Sequence, residues 1–264
     1  MPMLKTADAD INFMTAGEQG DWLVLVGGLV TAFWQNWQKY FPTMTQRYRV
    51  LAIDNRGCGQ SSSPDFPYTT SMMAGDVVAV MDHLGIERAR FIGRSNGGAI
   101  CQQVALNHAE RVQAMALTST YARIGARSQA IVAHWRETAQ HFGFERFFPF
   151  LMSYFYTEEF YTGRQDEVRK QIDALLSAPR TLHGFINTTH AVESHDTWGR
   201  LGEIRCPVLL VCGDEDVITP PRHTEAMASR IPGAEHRILT RCAHGVWSER
   251  PEVFEQVMDW IAAH

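Results

Sequence analysis

Ser95 stands in Gly93-Arg94-Ser95-Asn96-Gly97-Gly98, a G-x-S-x-G-G pattern. It lies between an apolar run, Ala89 to Ile92, and a segment reaching His108 that puts Ile100, Val104 and Ala105 on one side, as a helix does. A strand that turns at once into a helix, with Ser at the turn, is a nucleophile elbow. The turn strains the backbone of the serine, so the residues two positions away must be small. Gly93 and Gly97 meet that need, and Gly98 lets the helix approach the sheet. The hydroxyl is then held clear of the backbone, and the Asn96 N–H is aimed at the place where an oxyanion would form. A glycine-rich turn with a capping Ser gives the same five letters by chance, so further groups must decide.

A serine nucleophile needs a base, a group that orients the base, and an oxyanion hole. Arg241-Cys242-Ala243-His244-Gly245 follows the last strand-like run, and His244 is the expected base. The other histidines read as surface groups, most of them in helical segments. Gly213-Asp214-Glu215-Asp216 follows another apolar run and offers two aspartates. Asp216, one loop-length past the glycine, is the expected orienter, and Asp214 is the alternative. Either could simply cap a loop, a common role of Asp before a helix. The run Val112–Leu117 ends in Thr118-Ser119-Thr120, without a carboxylate, which favours the later loop. The second oxyanion donor is expected from the backbone N–H of Leu29. Gly27-Gly28 would let that loop pass close to Ser95. A plain strand-to-helix turn is the alternative there.

Strands must position these loops. Ile11–Ala16, Trp22–Val26, Tyr48–Ile53, Ala89–Ile92, Val112–Leu117, Pro207–Cys212 and His236–Thr240 have strand length and make-up. Helices are expected around Trp34–Tyr40, over Ser71–Leu84 and over Glu252–Ile261. Another starts at Thr219-Pro220-Pro221, with Thr219 as its N-cap. Strands alternating with helices imply an α/β protein with a mostly parallel, doubly wound sheet. The polar loops then share the carboxyl edge of that sheet.

From Tyr121 to Trp198 the alternation stops and the sequence reads as helical. This predicts a helical cap, residues 121–198, inserted after the sixth strand into a core of residues 1–120 and 199–264. Residues 142–161 carry ten aromatics. Most are expected to pack the cap onto the sheet. The rest, Phe147 and Tyr154 included, are expected to line an apolar chamber above Ser95, with Gly28, Phe33, Trp34 and Trp247.

The 264 residues suit one large α/β domain with an insertion. A net charge of −5, with no Lys/Arg run, argues against a nucleic-acid partner. No apolar run approaches the ~18 residues a membrane span needs. The start, Met1-Pro2-Met3-Leu4-Lys5, lacks a signal-peptide pattern. Five cysteines without metal-like spacing suggest reduced thiols in a cytoplasmic protein, with no metal site expected.

Together, Gly93-Arg94-Ser95-Asn96-Gly97-Gly98, Asp54-Asn55-Arg56-Gly57-Cys58-Gly59-Gln60-Ser61, Gly213-Asp214-Glu215-Asp216 and Ala243-His244 resemble the α/β-hydrolase family over nearly the whole chain. The order Ser95, Asp216, His244 matches that family's Ser…Asp…His order. Within the family, Gln103-Val104-Ala105-Leu106-Asn107-His108-Ala109-Glu110-Arg111-Val112 and Thr118-Ser119-Thr120-Tyr121-Ala122-Arg123-Ile124-Gly125 look most like the 3-oxoadipate enol-lactonases and related small esterases. Two positions depart from the pattern. Gly27-Gly28 stands where most relatives have His-Gly, and Arg94 precedes the serine where small, apolar or His residues are commoner. Arg94 could bind a substrate carboxylate or, more simply, pair with a nearby Asp.

The resemblance implies a serine hydrolase of a small or medium apolar ester or lactone, without cofactor, as a monomer or homodimer. A Ser nucleophile argues against dehalogenase and epoxide-hydrolase chemistry, which this fold runs through an Asp. A carbon–carbon bond hydrolase of diketone-type acids, a cofactor-free perhydrolase or haloperoxidase, and a ligand receptor of the same fold are the alternatives.

Overall fold

The structure is a computed structural model that describes residues 2–30 and 37–264. Its centre is an eight-stranded sheet in the order β1-β2-β4-β3-β5-β6-β7-β8. The strands are β1 (Met3–Lys5), β2 (Asp10–Ala16), β3 (Trp22–Val26), β4 (Arg49–Ile53), β5 (Ala89–Arg94), β6 (Val112–Thr118), β7 (Val208–Gly213) and β8 (Glu235–Leu239). β1 and β2 pair antiparallel at one edge, and β2 is also antiparallel to β4. All later pairings are parallel.

A parallel sheet covered on both faces needs strands that are apolar on both faces. β3 meets that condition: Leu23, Val24, Leu25 and Val26 are all fully buried. Successive side chains point to opposite faces. Val24 and Val26 accordingly join one core cluster and Leu23 and Leu25 the other. Leu51 and Ile53 against Val50 and Ala52 in β4, and Leu210 against Leu209 and Val211 in β7, divide the same way. Each such buried side chain contributes about 1.5–3 kcal/mol.

The first face is covered by α2 (Thr70–His83) and α3 (Asn96–Asn107), among others. Thr69 caps α2 by accepting the Met72 N–H at 3.1 Å. The second face is covered by α1 (Phe41–Met44) and α11 (Glu252–Ala263). The helix expected around Trp34–Tyr40 lies partly outside the described residues. Its described end is a 3-10 turn, Gln38–Tyr40, that runs into α1.

Between β6 and β7 come five helices: α4 (Ala126–Phe142), α5 (Phe144–Phe155), α6 (Glu158–Gly163), α7 (Gln165–Ser177) and α8 (Leu182–Ser194). They form a third apolar cluster, in which Val132, Trp135, Leu151 and Val192 meet Leu29, Val30 and Ile218 from loops at the sheet's carboxyl edge.

Two elements escape a reading by period. β1 is only three residues long, and α10 (Val246–Glu249) only four. One expectation is corrected. α9 runs Pro221–Ala228 with Pro220 in the cap position, and Thr219 does not cap it. The Thr219 hydroxyl donates to Asp216 instead.

Candidate active site

Ser95 links β5 to α3 with φ 54° and ψ −121°. A non-glycine residue held there stores about 1–3 kcal/mol, which the surroundings must offset. Here the Ser95 N–H donates to the Thr118 carbonyl at 2.8 Å. The Ser95 carbonyl accepts from the Gly98 N–H at 2.9 Å and from the Thr120 hydroxyl at 2.8 Å. The glycines around it are steric necessities. A Cβ on Gly93 would lie 2.8 Å from Cys101 Sγ, and one on Gly98 would lie 2.6 Å from Thr120 Oγ1. One on Gly97 would collide with the Val26 carbonyl.

His244 lies in the loop between β8 and α10, with its Nδ1 2.8 Å from Asp216 Oδ2. Both side chains are almost wholly buried. Asp216 Oδ1 accepts the N–H groups of Ile218 (2.9 Å) and Thr219 (2.8 Å), and Oδ2 accepts the Thr219 hydroxyl at 2.8 Å. The loop after β7 therefore fixes the carboxylate before His244 meets it. Ser119 Oγ donates to the His244 carbonyl at 3.2 Å, and the Phe155 ring packs T-shaped against the imidazole, with centroids 4.8 Å apart. With Nδ1 on Asp216, Nε2 is the nitrogen left to exchange a proton. Asp214, the alternative acid, is exposed, and it accepts the Cys242 N–H at 3.3 Å.

The loop after β3 passes beside the serine. A Cβ on Gly28 would lie 3.5 Å from Ser95 Cβ. Its carbonyls are pinned by the polar loop after β4, where Asn55 Nδ2 donates to Gly27 O (3.0 Å) and Cys58 Sγ to Leu29 O (3.3 Å). That loop is itself braced. Arg56 makes two 2.7 Å bonds to Asp76, and Asp54 Oδ2 accepts from Asn12 Nδ2 at 2.7 Å. Asn55 and Cys58 are thus supports for the loop that carries Leu29. Burial pushes the Cys58 thiol up to about 12, so it stays protonated near neutral pH. Asn96 opens α3, at the positive end of the helix dipole. Its side-chain oxygen accepts the Tyr121 hydroxyl at 3.1 Å.

Ser95, His244, Gly28 and Leu29 line one chamber under α4, α5 and α8. Its walls are Val132, Trp135, Leu151, Phe155, Val192 and Ile218, among others. The centre of a water-sized sphere can roam about 40 Å³ inside it. A roomier second chamber, about 490 Å³ by the same measure, shares Val30, Arg94 and Phe155 with the first.

The sequence expectations divide against this geometry. Trp247 lines the second chamber, not the one with Ser95. Phe147 and Tyr154 line neither, and Phe33 and Trp34 lie outside the described residues. Of the ten aromatics over residues 142–161, Phe155 alone reaches the Ser95 chamber. The reason is helical geometry. Leu151 and Phe155, one turn apart, share the face of α5 that looks at the chamber. Phe144, Phe147 and Phe148 turn to one another and to Phe185 of α8. Val132 and Trp135 on α4 were missed, because nothing in a half-polar helix marks which of its apolar residues meets a ligand. Among the described residues no cluster of His, Cys, Asp and Glu could hold a metal ion, and the five cysteines are free thiols.

Residues 21–251 match the model of the alpha/beta hydrolase fold family. The chain belongs to the α/β-hydrolase fold family. It is an enzyme of the hydrolase class. It is similar to 3-oxoadipate enol-lactonase 2 of Acinetobacter baylyi, 26% identical over 98% of this chain and 95% of that one. It is also 26% identical to a protein of Stutzerimonas stutzeri provisionally named carbamate hydrolase RutD, over 89% of each chain. The crystal structure of an enol-lactonase from Burkholderia xenovorans LB400 superposes with a TM-score of 0.91 at 26% identity, covering both chains fully.

Proposed function

We propose that this α/β-hydrolase is a serine hydrolase of a small carboxylic ester or lactone, working through an acyl-enzyme. The observation that carries the reading is the Asp216–His244 contact at 2.8 Å behind a chamber that both Ser95 and His244 line. His244 takes the Ser95 proton as the hydroxyl attacks the carbonyl. Asp216 holds the imidazole tautomer and stabilises the imidazolium. The Asn96 and Leu29 N–H groups receive the oxyanion. His244 then protonates the leaving alkoxide and later activates the water that frees the acid. The enol-lactonase relatives support this reaction class, and carbamate cleavage would use the same acyl-transfer parts. Residues 121–198 act as a cap over a core formed by 1–120 and 199–264, and their apolar wall holds the alkyl or ring part of the substrate out of water. The free cysteines suit a reducing cytoplasm, and no cofactor takes part.

Ser95→Ala removes one hydroxyl and should lower ester and lactone hydrolysis by at least about 10³-fold, with the melting temperature preserved. An alkyl phosphonate should label Ser95 in the native enzyme. Labelling at another residue, or full activity in Ser95→Ala, would overturn the assignment. A screen of esters, lactones, carbamates and diketones with the purified protein then ranks the substrate classes.

A further inference from the structure

The backbone on either side of His244 is tied to the inserted helices. The Ala243 N–H, just before it, donates to Glu249 Oε2 at 2.6 Å. The Gly245 N–H, just after it, donates to the Phe155 carbonyl at 2.7 Å. The Ser119 hydroxyl, on the His244 carbonyl, is the core's own hold on the same stretch. Glu249 ends α10 and is half-buried. Its other oxygen, Oε1, accepts the Thr157 N–H at 2.7 Å and the Thr157 hydroxyl at 2.9 Å. One carboxylate thus bridges the loop of His244 and the link between α5 and α6.

Local chemistry brings the two segments together. The last carbonyls of a helix have no partner within it. Phe155 closes α5, and Gly245 supplies the N–H that its carbonyl needs. Thr157 caps α6 by accepting the Phe160 N–H at 3.2 Å, which leaves its own proton for Glu249. The approach is close: a Cβ on Gly245 would collide with the Tyr156 ring, whose hydroxyl donates to Gln171 of α7. An ionised carboxylate suits the bridge because it accepts on both oxygens and donates on neither. The Phe155 ring also packs on the imidazole and, with Leu151, lines the Ser95 chamber. A group that fills the chamber therefore bears on the helix whose end holds the loop of His244.

We propose that Glu249 is a positioning residue for the base: it fastens the His244 loop to the end of α5, so that His244 reaches its working place only when the inserted helices are seated. Asp216 sets the tautomer and orientation of the ring, and Glu249 sets where the backbone carries that ring. The proposal rests on His244 being the base of the acyl-transfer reading.

Two esters of one acid test it. Benzyl butanoate and 4-nitrophenyl butanoate are close in size, but the benzyl alkoxide needs a proton from His244 to leave, and nitrophenolate does not. A misplaced His244 slows the benzyl ester more, whereas a loss of folded enzyme slows both alike. Glu249→Gln keeps the shape, yet its amide can satisfy only one side of the bridge and turns a donor toward the other. In it kcat/KM should fall about 10²-fold for the benzyl ester, the effect of a misplacement of about 1 Å, and about tenfold for the nitrophenyl ester, so that their ratio falls about tenfold. Thr157→Val loses the hydroxyl and keeps the main-chain bond, so the ratio should fall about threefold. Thr157→Ser, which restores the hydroxyl, should bring it back near the parent's. A ratio unmoved in Glu249→Gln or in Thr157→Val would overturn the proposal, and Thr157→Val decides alone if Glu249→Gln does not fold. His244→Gln separates the two readings. If it still cleaves both esters at the parent's rate, the acyl-transfer reading falls and this proposal with it. If it is inactive while the ratio in Glu249→Gln stays put, this proposal falls alone.

Discussion

The loops at the strand ends and the helices inserted between β6 and β7 meet at one chamber but are built to different tolerances. Asp216 is fixed by three hydrogen bonds from its own loop before His244 adds a fourth contact. Ser95 is pinned through its N–H and its carbonyl in a strained turn. Leu151, Val132 and Val192, facing them across the chamber, are held by packing alone. Under the acyl-transfer proposal the loop groups react and must be placed within about 0.5 Å, whereas an apolar wall tolerates volume-conserving exchange. The difference teaches where each kind of change should show: in rate for the loops, in substrate range for the helices.

The largest effect should come from the loop after β7. Asp216→Asn should lower kcat about 10⁴-fold, because an amide leaves His244 in the wrong tautomer. Asp214→Asn should stay within about threefold, since that carboxylate is exposed and only ties one loop to the Cys242 N–H. The reverse ranking would move the orienting role to Asp214 and break the contrast at its strongest point.

The seam between the inserted helices and the core should show next, in stability. His195, just past α8, is buried between Thr70 Oγ1, 2.7 Å from its Nδ1, and Thr197 Oγ1, 3.3 Å from its Nε2. Burial pushes it down to about 4, with Asp196 partly opposing. An unfolded histidine titrates near 6.5. Between those values the unfolded chain binds a proton that the folded chain does not, so stability rises with pH across the window and is lost as pH falls from about 6.5 toward 4. The loss amounts to about 3 kcal/mol. In His195→Gln this dependence should be absent, so its stability difference from the parent should shrink as pH falls. Parallel curves of unfolding free energy against pH would show that His195 is no part of it.

A smaller effect tests how finely the loop is tuned. Thr219→Val keeps the shape but removes the hydroxyl that donates to Asp216 Oδ2, at 2.8 Å. The main-chain bonds to Oδ1 remain, so kcat should drop about tenfold, the worth of one hydrogen bond to a charged group. An unchanged kcat would mean that the main chain alone orients the acid.

The same contrast explains what could be read before the structure. The central strands are legible because burial on both faces leaves unbroken apolar runs such as Leu23–Val26. The elbow is legible because only glycine fits at positions 93, 97 and 98. β1 is not, since three residues paired at an edge carry no period. Thr219 reads as a helix cap because capping and carboxylate support ask for the same hydroxyl, and only the fold shows which partner takes it. The aromatic stretch is legible as a helical layer but not as a set of roles. In α5 the face of Glu145, Arg146, Pro149 and Ser153 is exposed, and which of the remaining apolar residues meet the chamber is chosen by how α4 and α8 pack against it. Arg94 is conspicuous in the sequence, yet its two-chamber position depends on Phe155 and Val30 arriving from elsewhere.

The mildest expected effect bears on the inserted helices. The Ser95 chamber leaves the centre of a water-sized sphere only about 40 Å³ to roam, room for a short acyl group. Each buried methylene contributes about 0.8 kcal/mol, or roughly fourfold in rate. Across methyl esters, kcat/KM should therefore climb about fourfold per carbon from acetate to about butanoate, then flatten or fall. Two truncations separate wall from filler. Leu151→Ala enlarges the chamber and should move the optimum one or two carbons longer. Phe147→Ala, equally buried but lining no chamber, should lower stability by about 3–5 kcal/mol and leave the optimum where it was. If Phe147→Ala shifts the chain-length optimum as far as Leu151→Ala does, the inserted helices act as one yielding body and no distinct face of α5 reads the substrate.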